Sequence, residues 1–576
     1  MLTYKELKRL TKSDRQLEKN MKIALLGDTA TQFLNTAICG TGMERGWHID
    51  LYEAEYNQIE NELLNPNSDL HTFEAEYIVI FQSTHKLAEK HSLLSPEEKE
   101  FLAENRIDFI KTICENKLLS GKKIIYFNYP EIDDTVWGSY SNKVTSSLTY
   151  QTRKLNYMLM ELSMRYPDFF VCDIASLQNK FGRDFIFASN IYVSTEMVLS
   201  VPSIPYVASR VMDIICATKG LFKKCLIIDL DNTIWGGVIG DDGIENIQLG
   251  HGLGIGKAFT EIQMWIKKLQ QRGIIICVAS KNDEATAKNA FEKHPDMILR
   301  LEDIAVFQAN WESKVDNIRT IQKILNISFD SMVFLDDNPF ERNIVKENIP
   351  QITVPDLPED PGNYLEYLYS LNLFETVSYS DSDRQRTKQY QIEAERVSLQ
   401  KTFTNEDDFL DSLHMTSVVS GLTKFNIPRS AQLSQRSNQF NLRTVRYTEA
   451  DLERIAEDPK AVSLCFTLKD KLGDHGLISV IIMKQTDTET LFIDTWFMSC
   501  RVLKRGMERF ILNKMVEVAL QKGYKRIIGE YLPTEKNKMV SHHYEELGFV
   551  PIEGALTAQY ELITKTYQPM KCHISE

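Results

Sequence analysis

The hydrophobic pattern of the first region alternates short apolar runs with longer amphipathic stretches. Apolar runs at 21–26, 75–81 and 123–127 have the length of buried strands, and apolar residues recur at helical spacing near 95–118 and 145–165. Strands that alternate with helices along a chain form a parallel sheet with helices on its faces. The pattern therefore predicts an α/β domain here.

The middle region repeats this pattern. Apolar runs at 226–228, 274–279 and 332–335 predict three more buried strands. Between them, 256–271 predicts a helix, and a further helical pattern starts at Trp311. In open α/β sheets, ligands bind at the carboxyl ends of the strands. The polar residues that follow each strand are therefore expected to converge on one ligand.

The last region has strands in succession, which is typical of a mixed α+β domain. The stretches 464–485 and 488–500 predict strands joined by turns, followed by an amphipathic helix at 507–518 and a strand at 526–530. Before them, 429–452 predicts a polar helix, a turn and a strand.

The length of the chain and one polar stretch suggest where the domains divide. At 576 residues the chain is too long for one core. Residues 378–383 form a short polar linker, and a charged helix with one solvated face is expected after it. We predict three domains, which are 1–218, 219–375 and 380–576.

Composition excludes several classes of protein. Hydrophobic residues make up 43% and charged residues 25%, as in ordinary globular proteins. The net charge of −14 argues against nucleic-acid or membrane-surface binding, and no apolar run approaches the ~18 residues that span a bilayer. The polar N-terminus lacks a signal-peptide core, and the nine cysteines contain no CxxC pair. A cytoplasmic enzyme with reduced thiols is expected.

Charged and hydroxyl-bearing residues follow the predicted strands of the middle region. Asp229 and Asp231 lie on one face of the first strand end, so both carboxylates can reach one ligand. A hydroxyl at Ser280 can hydrogen-bond a phosphoryl oxygen, and Lys314 can neutralise charge. Hard oxygen ligands of this kind suit Mg²⁺. The carboxylates that remain follow the third strand and are Asp336 and Asp337.

The ordered set DxDxT, Ser, Lys and DD resembles the haloacid dehalogenase (HAD) phosphatase superfamily. The resemblance implies a Rossmann-like domain in which Asp229 attacks phosphorus and Asp231 transfers protons. Ser280 and Lys314 would stabilise the developing charge. Mg²⁺ would be held by Asp229, the backbone carbonyl of Asp231, and the DD pair, although Asp337 could instead support another ligand. The spacing from Thr233 to Ser280 leaves no room for a large cap domain.

The first region resembles the SGNH/GDSL esterases, a flavodoxin-like α/β fold. The turn Gly27-Asp28-Thr29 follows its first strand, with threonine where the esterases have serine. Such an enzyme needs a histidine to activate the hydroxyl, usually three residues after an aspartate, and neither Asp173 nor Asp184 has one. The resemblance thus implies a catalytically degenerate domain that docks or presents a substrate.

The third region resembles the GNAT acyltransferases through antiparallel strands, an RxxxRG loop and an N…Y…GF ending. A strand, an Arg/Gly loop and a helix N-terminus form a pyrophosphate-binding arrangement. The resemblance implies acyl-CoA or acyl-carrier pantetheine as cofactor, held by Arg501, Arg505, Gly506 and Asn537. It also implies that Tyr544 protonates the departing thiolate, although this residue could simply pack in the core.

Cys500 stands beside this loop and between polar neighbours. Two nearby arginines, Arg501 and Arg505, would favour its thiolate, which could then carry an acyl group. A free cysteine is also commonly buried for packing, so both roles stay open. The histidines at 475, 542 and 543 are candidate bases or structural residues.

All three regions in this order, with the strings DLDNTIWGGVIGDDG, NQFN and SCRV, resemble the FkbH-like proteins of HAD subfamily IIIC. That resemblance implies dephosphorylation of a phosphorylated glyceryl-type substrate and passage of the acyl group to a thiol of an acyl carrier protein. A second reading is two separate activities, a phosphatase and an acetyl-CoA-dependent acetyltransferase, on sugar or capsular polysaccharide intermediates. A third is a binding scaffold with degenerate sites.

Overall fold

The computed structural model describes residues 1–13, 17, 19–379, 386–400, 402–534 and 536–576, without the side chains of Val397, Ser398 and Cys500. The chain divides into two compact units, Met1–Cys216 and Ala217–Glu576. The second unit holds both the middle and the third region, and the three-domain division stays a prediction.

The first unit contains a parallel five-stranded sheet in the order β2-β1-β3-β4-β5. Its three predicted strands are present, and β2 and β5, which the apolar pattern did not single out, complete it. Parallel α/β architecture is therefore confirmed for this region. The strands are β1 Lys19–Gly27, β2 Trp47–Glu53, β3 Tyr77–Phe81, β4 Lys123–Phe127 and β5 Phe169–Cys172.

Helices cover this sheet, and they bury their apolar stripes against strands that are themselves almost wholly buried. The predicted helix near 95–118 is divided by a break after Lys99, and the one near 145–165 is continuous. The helices are Tyr4–Leu10, Gln32–Glu44, Ile59–Leu64, Asp69–Phe73, Thr84–Leu93, Pro96–Lys99, Leu102–Glu115, Leu148–Arg165, Ile174–Phe181, Arg183–Ile186, Ser189–Thr195 and Ile204–Thr218.

The second unit begins with a parallel four-stranded sheet in the order β8-β7-β6-β9. All four residues of both β6 and β9 are buried, as expected for strands covered on both faces. The edge strand β8 was not predicted. The strands are β6 Cys225–Ile228, β7 Ile275–Ser280, β8 Ile304–Ala309 and β9 Met332–Leu335. Their helices are Ile239–Asp242, Ile255–Gln271, Glu284–Lys293, Lys314–Leu325, Pro339–Asn348 and Tyr364–Leu371.

The third region forms a mixed sheet in the order β16-β17-β15-β14-β13-β12-β10-β18, with β11 also paired to β12. Neighbouring strands are antiparallel except for the pairs β14/β15 and β10/β18. The strands are β10 Met415–Thr416, β11 Val419–Ser420, β12 Ala461–Asp470, β13 Gly473–Gln485, β14 Thr490–Met498, β15 Arg526–Tyr531, β16 Val550–Pro551, β17 Ala558–Ile563 and β18 Ile574–Ser575. The helices are Arg386–Gln400, Glu406–Ser412, Ile427–Arg436, Glu449–Glu457, Met507–Gln521 and His543–Glu546.

One predicted strand of this region is reduced to a single bridge. The polar helix expected near 429 is present, but of the strand expected after it only Asn441 pairs, opposite Phe497. The end of that stretch is instead the helix Glu449–Glu457, whose Thr448 cap accepts from the backbone N–H of Asp451. A capping box outweighs a short strand-like pattern here.

The charged helix Arg386–Gln400 joins the two sheets of the second unit. Gln391 donates to the carbonyl of Ile304 on β8 at 2.9 Å, and Arg396 pairs with Asp470 at the end of β12 at 2.7 Å. Two polar side chains of this helix therefore each contact a different sheet of the second unit.

In the part of the chain that the structure describes, no helix is both long enough and apolar enough to span a membrane.

Candidate functional site

Three carboxylates meet at the carboxyl edge of the β6–β9 sheet. Asp229 follows β6, and Asp336 and Asp337 follow β9, so the parallel pairing of these strands brings them together. The backbone N–H of Asp229 extends that pairing to the carbonyl of Leu335 at 2.9 Å. Each aspartate offers an oxygen, and these oxygens all lie within 4.8 Å of one another. The three carboxylates therefore lie together, and their roles as nucleophile and metal ligands stay predictions.

Lys314 lies between two of the carboxylates. Its helix starts at this residue because the Ser313 hydroxyl caps it, accepting from the N–H of Asp316 at 3.1 Å. The first helical turn thus delivers the ammonium to the strand edge, where Nζ is 2.7 Å from Asp229 Oδ1 and 2.8 Å from Asp336 Oδ2. Lys314 is only 2% exposed, so it is part of the site and not a surface charge.

The charges in this cluster do not balance. Burial and the nearby Asp229 raise the pKa of Asp336 to about 6, and the same two causes raise the pKa of Asp337. Burial lowers the pKa of Lys314, but the two carboxylates outweigh it and the net change is upward. When all groups are ionised, three carboxylates and one ammonium leave two negative charges. A hard divalent cation fits this donor set in both charge and ligand type.

The carboxylate of Asp231 is held apart from this cluster. Its Oδ1 accepts from Trp235 Nε1 at 2.8 Å and from the N–H of Ile239 at 3.1 Å. Its Oδ2 accepts from Asn282 Nδ2 at 3.0 Å, and the same Asn282 amide donates to the Ser280 hydroxyl at 3.0 Å. Asp231 and Ser280 therefore share one partner at the same strand edge. A metal contact through the Asp231 carbonyl stays a prediction.

In the third region, the guanidinium of Arg505 is engaged by internal carboxylates. It pairs with Glu393 at 2.5 Å and lies 3.5 Å from Asp470. Arg396 contacts the same two carboxylates, and His475 Nε2 lies 3.2 Å from Asp470. Burial raises the pKa of Asp470, but the hydrogen bond from His475 and the charge of Arg396 outweigh it and lower that pKa to about 2. This geometry gives Arg505 a structural ion pair where pyrophosphate binding was predicted.

The neighbouring residues of that loop are placed differently. Arg501 is buried, and its guanidinium donates to the Gln389 side chain and, through Nε, to the Ser499 hydroxyl at 3.3 Å. Gly506 caps the next helix with a φ of 75°, a left-handed conformation that favours glycine. The left-handed backbone of this turn is therefore enough to explain a glycine at position 506, without a bound ligand.

A chain segment fills the space where β14 and β15 diverge. These strands pair only at 490–492, and residues 440–442 lie between them further on. Leu442 N donates to the Trp496 carbonyl at 3.3 Å, and Met498 N donates to the Phe440 carbonyl at 3.1 Å. On the other side, Leu532 N donates to the Leu442 carbonyl at 2.9 Å. Residues 440–442 therefore bond to the end of β14 on one side and to the residue after β15 on the other.

Asn537 fixes this segment. Its Nδ2 donates to the carbonyls of Asn441 and Leu532, both at 2.9 Å, and its Oδ1 accepts from the N–H of Thr534 at 2.7 Å. The residue is fully buried. Both amide hydrogens are used within the protein, so the geometry gives Asn537 a structural role and no cofactor contact.

Tyr544 lies within the core of the third region at 1% exposure. Its ring packs on Phe549 and Tyr560, and burial raises the pKa of its hydroxyl far above the ordinary value. The packing alternative therefore fits better than that of a proton donor at an open site. The side chain of Cys500 lies outside the described residues, and its acyl-carrying role stays a prediction.

The Gly-Asp-Thr turn of the first unit lies at the carboxyl end of β1. The Asp28 carboxylate accepts from the N–H of Ser83 at 2.9 Å, and burial raises its pKa to about 7. Thr29 is 2% exposed, and among the described residues its hydroxyl has no hydrogen-bond partner. No described histidine is bonded to it, so the turn lacks the base that an esterase needs.

Comparisons with known proteins identify the family. The model of the FkbH N-terminal domain matches residues 22–216. A crystal structure of the N-terminal part of the protein BF1531 from Bacteroides fragilis, containing a phosphatase domain complexed with Mg, is 61% identical in sequence. The match covers 66% of this chain and 100% of that one, with a TM-score of 0.64. The chain belongs to the FkbH-like family of HAD proteins.

Other solved structures resemble only part of this FkbH-like chain. The ribosomal-protein-S18-alanine N-acetyltransferase from Escherichia coli is 14% identical over 25% of this chain and 91% of that one, with a TM-score of 0.19. The spermidine N-acetyltransferase from Vibrio cholerae in complex with CoA and spermine is 14% identical over 26% and 98%, with a TM-score of 0.21. Similarities of this strength carry no functional argument. No curated protein matches the chain.

The FkbH-like site also contains residues that sequence reasoning did not assign. Trp235 and Asn282 orient Asp231, and Arg342 Nη1 donates to the carbonyls of Asp336 and Asp337 at 2.9 and 2.7 Å. Asn282 stands two residues after Ser280, on the strand end already singled out, which was an available signal. Arg342 lies within the helix after β9. Its position in the sequence did not indicate that its guanidinium contacts the carbonyls of Asp336 and Asp337, which precede that helix.

Proposed function

We propose that this FkbH-like chain is a Mg²⁺-dependent phosphohydrolase whose nucleophile is Asp229. The observation that carries the proposal is the buried cluster of three carboxylates around Lys314, with two uncompensated negative charges at a strand edge. The magnesium-complexed relative supports the choice of metal, because its sequence is 61% identical.

The proposed reaction uses residues that the sheet already positions. A carboxylate oxygen of Asp229 forms a bond to phosphorus while the bond to the leaving oxygen breaks, which gives an aspartyl phosphate. Asp231 donates a proton to that leaving oxygen and then takes one from the water that hydrolyses the intermediate. Trp235 and Asn282 hold the Asp231 carboxylate in place for both transfers.

Charge in the transition state is met by groups on the same edge. The Lys314 ammonium contacts Asp229, so it lies beside the nucleophile and can neutralise negative charge on the phosphoryl group during the transfer. The Ser280 hydroxyl lies beside Asn282 and can donate to a phosphoryl oxygen. Mg²⁺ held by Asp229, Asp336 and Asp337 would supply additional positive charge when it is bound.

The test compares the Asp229→Asn variant with an Asp241→Asn control. The asparagine keeps the shape of the nucleophile and removes its charge, and Asp241 is an exposed acid nearby. Phosphate release should fall to background in Asp229→Asn and stay unchanged in the control. Circular dichroism should be the same for both variants. Turnover retained by Asp229→Asn would contradict the proposal.

The acyl-transfer step that the family resemblance implies is a second candidate. The favouring observation is positional: Cys500 follows the end of β14, directly before Arg501. We propose that the Cys500 thiolate attacks the carbonyl carbon of an acyl phosphate, so that a thioester forms and inorganic phosphate leaves. A carrier thiol then attacks this thioester, takes the acyl group and frees the Cys500 thiol. The buried pairing of Arg505 weighs against a conventional pyrophosphate loop, so this candidate relies on the cysteine and not on the arginine pair.

Intact-protein mass spectrometry tests this second candidate. The chain is incubated with 1,3-bisphosphoglycerate, and the same incubation is run with Cys500→Ala and with Cys572→Ala as a matched control. A glyceryl adduct present in the native chain and the control but absent in Cys500→Ala is expected. Phosphate release from the substrate without any adduct would instead favour two separate activities.

A further inference from the structure

Arg342 is a buried arginine in the helix that follows the carboxylates of β9. It is 6% exposed, and its helix is Pro339–Asn348. The helix begins here because the Asn338 side chain caps it and because proline at its first position already has a helical φ. The backbone N–H of Arg342 donates to the Asn338 carbonyl at 3.1 Å, so Arg342 lies one turn after the cap. A buried cation in this place requires specific partners, because burying a charge is costly unless it is paired or hydrogen-bonded.

The partners of the Arg342 guanidinium include two successive backbone carbonyls. Nη1 lies 2.9 Å from the carbonyl oxygen of Asp336 and 2.7 Å from that of Asp337. The end of an arginine side chain is a rigid plane of N–H donors, so this nitrogen can give one hydrogen to each carbonyl. Hydrogen bonds from an ionised donor are stronger than those between neutral groups. One side chain therefore holds the backbone directly after β9 at two points.

The two held carbonyls flank a single residue, Asp337. The carbonyl of Asp336 belongs to the peptide group before Asp337, and the carbonyl of Asp337 belongs to the peptide group after it. Because peptide groups are planar, holding both of them restricts both backbone dihedrals of Asp337. The contacts from Arg342 therefore fix the direction in which the Asp337 side chain leaves the backbone.

The three carboxylates of the cluster differ in how their side chains are supported. Lys314 Nζ contacts Asp229 at 2.7 Å and Asp336 at 2.8 Å. For the Asp337 carboxylate the structure describes a weaker contact, in which the Thr233 hydroxyl lies 3.5 Å from Oδ1. The orientation of this third carboxylate therefore depends more on the backbone that carries it.

An ion pair does not account for the burial of Arg342. Its Nε lies 3.6 Å from Asp356 Oδ1, and Lys346 Nζ contacts the same oxygen at 2.5 Å. The Asp356 side chain is 68% exposed, and ion pairs with exposed carboxylates contribute little to stability. The two carbonyl contacts are shorter and less exposed, so they explain the position of the guanidinium better.

We propose that Arg342 is a positioning residue that directs the Asp337 carboxylate toward the cation. This inference rests on the Mg²⁺ site proposed above and adds to it a residue that acts through the backbone. Mg²⁺ demands a near-ideal octahedral arrangement of its ligands, whereas Ca²⁺ accepts a flexible one. A less well held Asp337 therefore lowers the affinity for Mg²⁺ more than the affinity for Ca²⁺.

Calorimetric titrations with Mg²⁺ and, separately, with Ca²⁺ test this role. Arg342→Lys keeps the positive charge but loses the planar fork, and Arg342→Gln loses both. The matched control is Arg300→Gln, because Arg300 is also partly buried and donates to a backbone carbonyl, that of Phe291 at 3.0 Å. Arg300 comes before β8, whereas the cluster comes after β6 and β9. Circular dichroism and the thermal midpoint verify folding, and Arg342→Lys carries the test if Arg342→Gln does not fold.

Mg²⁺ binding should weaken by about 10–100-fold in both Arg342 variants, the usual cost of losing a group that orients a metal ligand. The loss of Ca²⁺ affinity should be smaller, and Arg300→Gln should bind both ions as the native chain does. In the Asp337→Asn background, Arg342→Lys should cause no further loss of Mg²⁺ affinity, because its effect is exerted through that carboxylate.

Two results would overturn the positioning role while leaving the metal site intact. One is native-like Mg²⁺ affinity in folded Arg342→Lys, which would show that the planar fork is not required. The other is an equal loss of affinity for Mg²⁺ and Ca²⁺, which would indicate a general disturbance of the sheet edge. A native chain that binds no Mg²⁺ would instead contradict the proposed metal site, and this inference with it.

Discussion

Two buried charge clusters in the second unit differ in whether their positive and negative side chains are equal in number. At the carboxyl edge of the β6–β9 sheet, three carboxylates surround Lys314 and leave two negative charges. In the third region, Glu393 and Asp470 face Arg396 and Arg505 and leave none. Both lie at strand ends, and both contain residues that a sequence motif had marked as functional.

The difference separates a site that needs a ligand from one that is complete. Buried charge is costly unless it is paired, so a cluster with an excess of charge is stable only with a counterion or with protonation. The raised pKa values of Asp336 and Asp337 reflect that excess, and the low pKa of Asp470 reflects full pairing. On the proposal made above, charge balance therefore predicts which of the two clusters holds a cation.

The largest expected effect comes from removing the single cation of the first cluster. Lys314→Met keeps the length of the side chain but leaves three carboxylates without a positive partner. We expect phosphate release to fall by about 10²–10³, the usual cost of losing one charge-stabilising group. Steady-state assays with Lys323→Met, an exposed lysine of the same helix, provide the control. Native-like turnover by Lys314→Met would show that the ammonium is not part of the chemistry.

The second cluster should respond in stability and not in catalysis. Asp470→Asn leaves Arg396 and Arg505 with only Glu393, and breaking a buried pair costs about 3–5 kcal/mol. Urea unfolding of the second unit should register that loss while phosphate release per folded molecule stays constant. Asp474→Asn, an exposed neighbour, is the control. A drop in activity without a loss of stability would instead assign the cluster to the reaction.

A smaller effect is expected from the residue that connects Asp231 to Ser280. Asn282→Ala removes one of three hydrogen bonds to the Asp231 carboxylate. Because the proton-transferring group stays present but is less well held, we expect kcat to fall about 10–100-fold with little change in KM. Asn282→Gln should recover part of the loss, and Asn246→Ala should behave as the native chain. An increase in KM alone would indicate substrate binding in place of positioning.

The smallest effect concerns a buried carboxyl with no ion pair among the described residues. Burial raises the pKa of Asp28 to about 7 in the folded state, from an ordinary value of 3.8. The folded protein therefore binds this proton more tightly, so its stabilising contribution is complete below pH 3.8 and is lost as the pH rises through 7. Thermal unfolding of the first unit should lose less stability between pH 4 and 7 in Asp28→Asn. If the stability of the native chain and that of Asp28→Asn changed equally with pH, the raised pKa of Asp28 would be refuted.

The sequence was sufficient to predict those features that depend on local order. Apolar runs located β1, β3, β4, β6, β7 and β9, and the polar residues after them brought Asp229, Asp336 and Asp337 to one edge. The edge strand β2 was missed because polar residues interrupt its apolar run, whereas the runs of β5 and β8 are as apolar as those of the predicted strands and were not singled out. The amphipathic helix at Met507–Gln521 was also predicted correctly.

Long-range pairing was not predictable in the same way. Nothing near Arg505 in the sequence indicates that Glu393, from a helix more than a hundred residues earlier, neutralises it. Similarly, Asn537 matched a motif, but its amide is used by residues 441 and 532 of the same chain. A motif gives residue type and spacing, while availability to a ligand depends on partners that only the fold supplies.

Calorimetric titration of Mg²⁺ tests the charge-balance account most directly. We predict one Mg²⁺ bound per native chain, with at least about tenfold weaker binding in Asp336→Asn and in Asp337→Asn, because each removes one oxygen ligand and one charge. The Asp470→Asn variant should bind as the native chain does. Absence of Mg²⁺ binding to the native chain, or undiminished binding in both carboxylate variants, would contradict the claim that this cluster is built for a divalent cation.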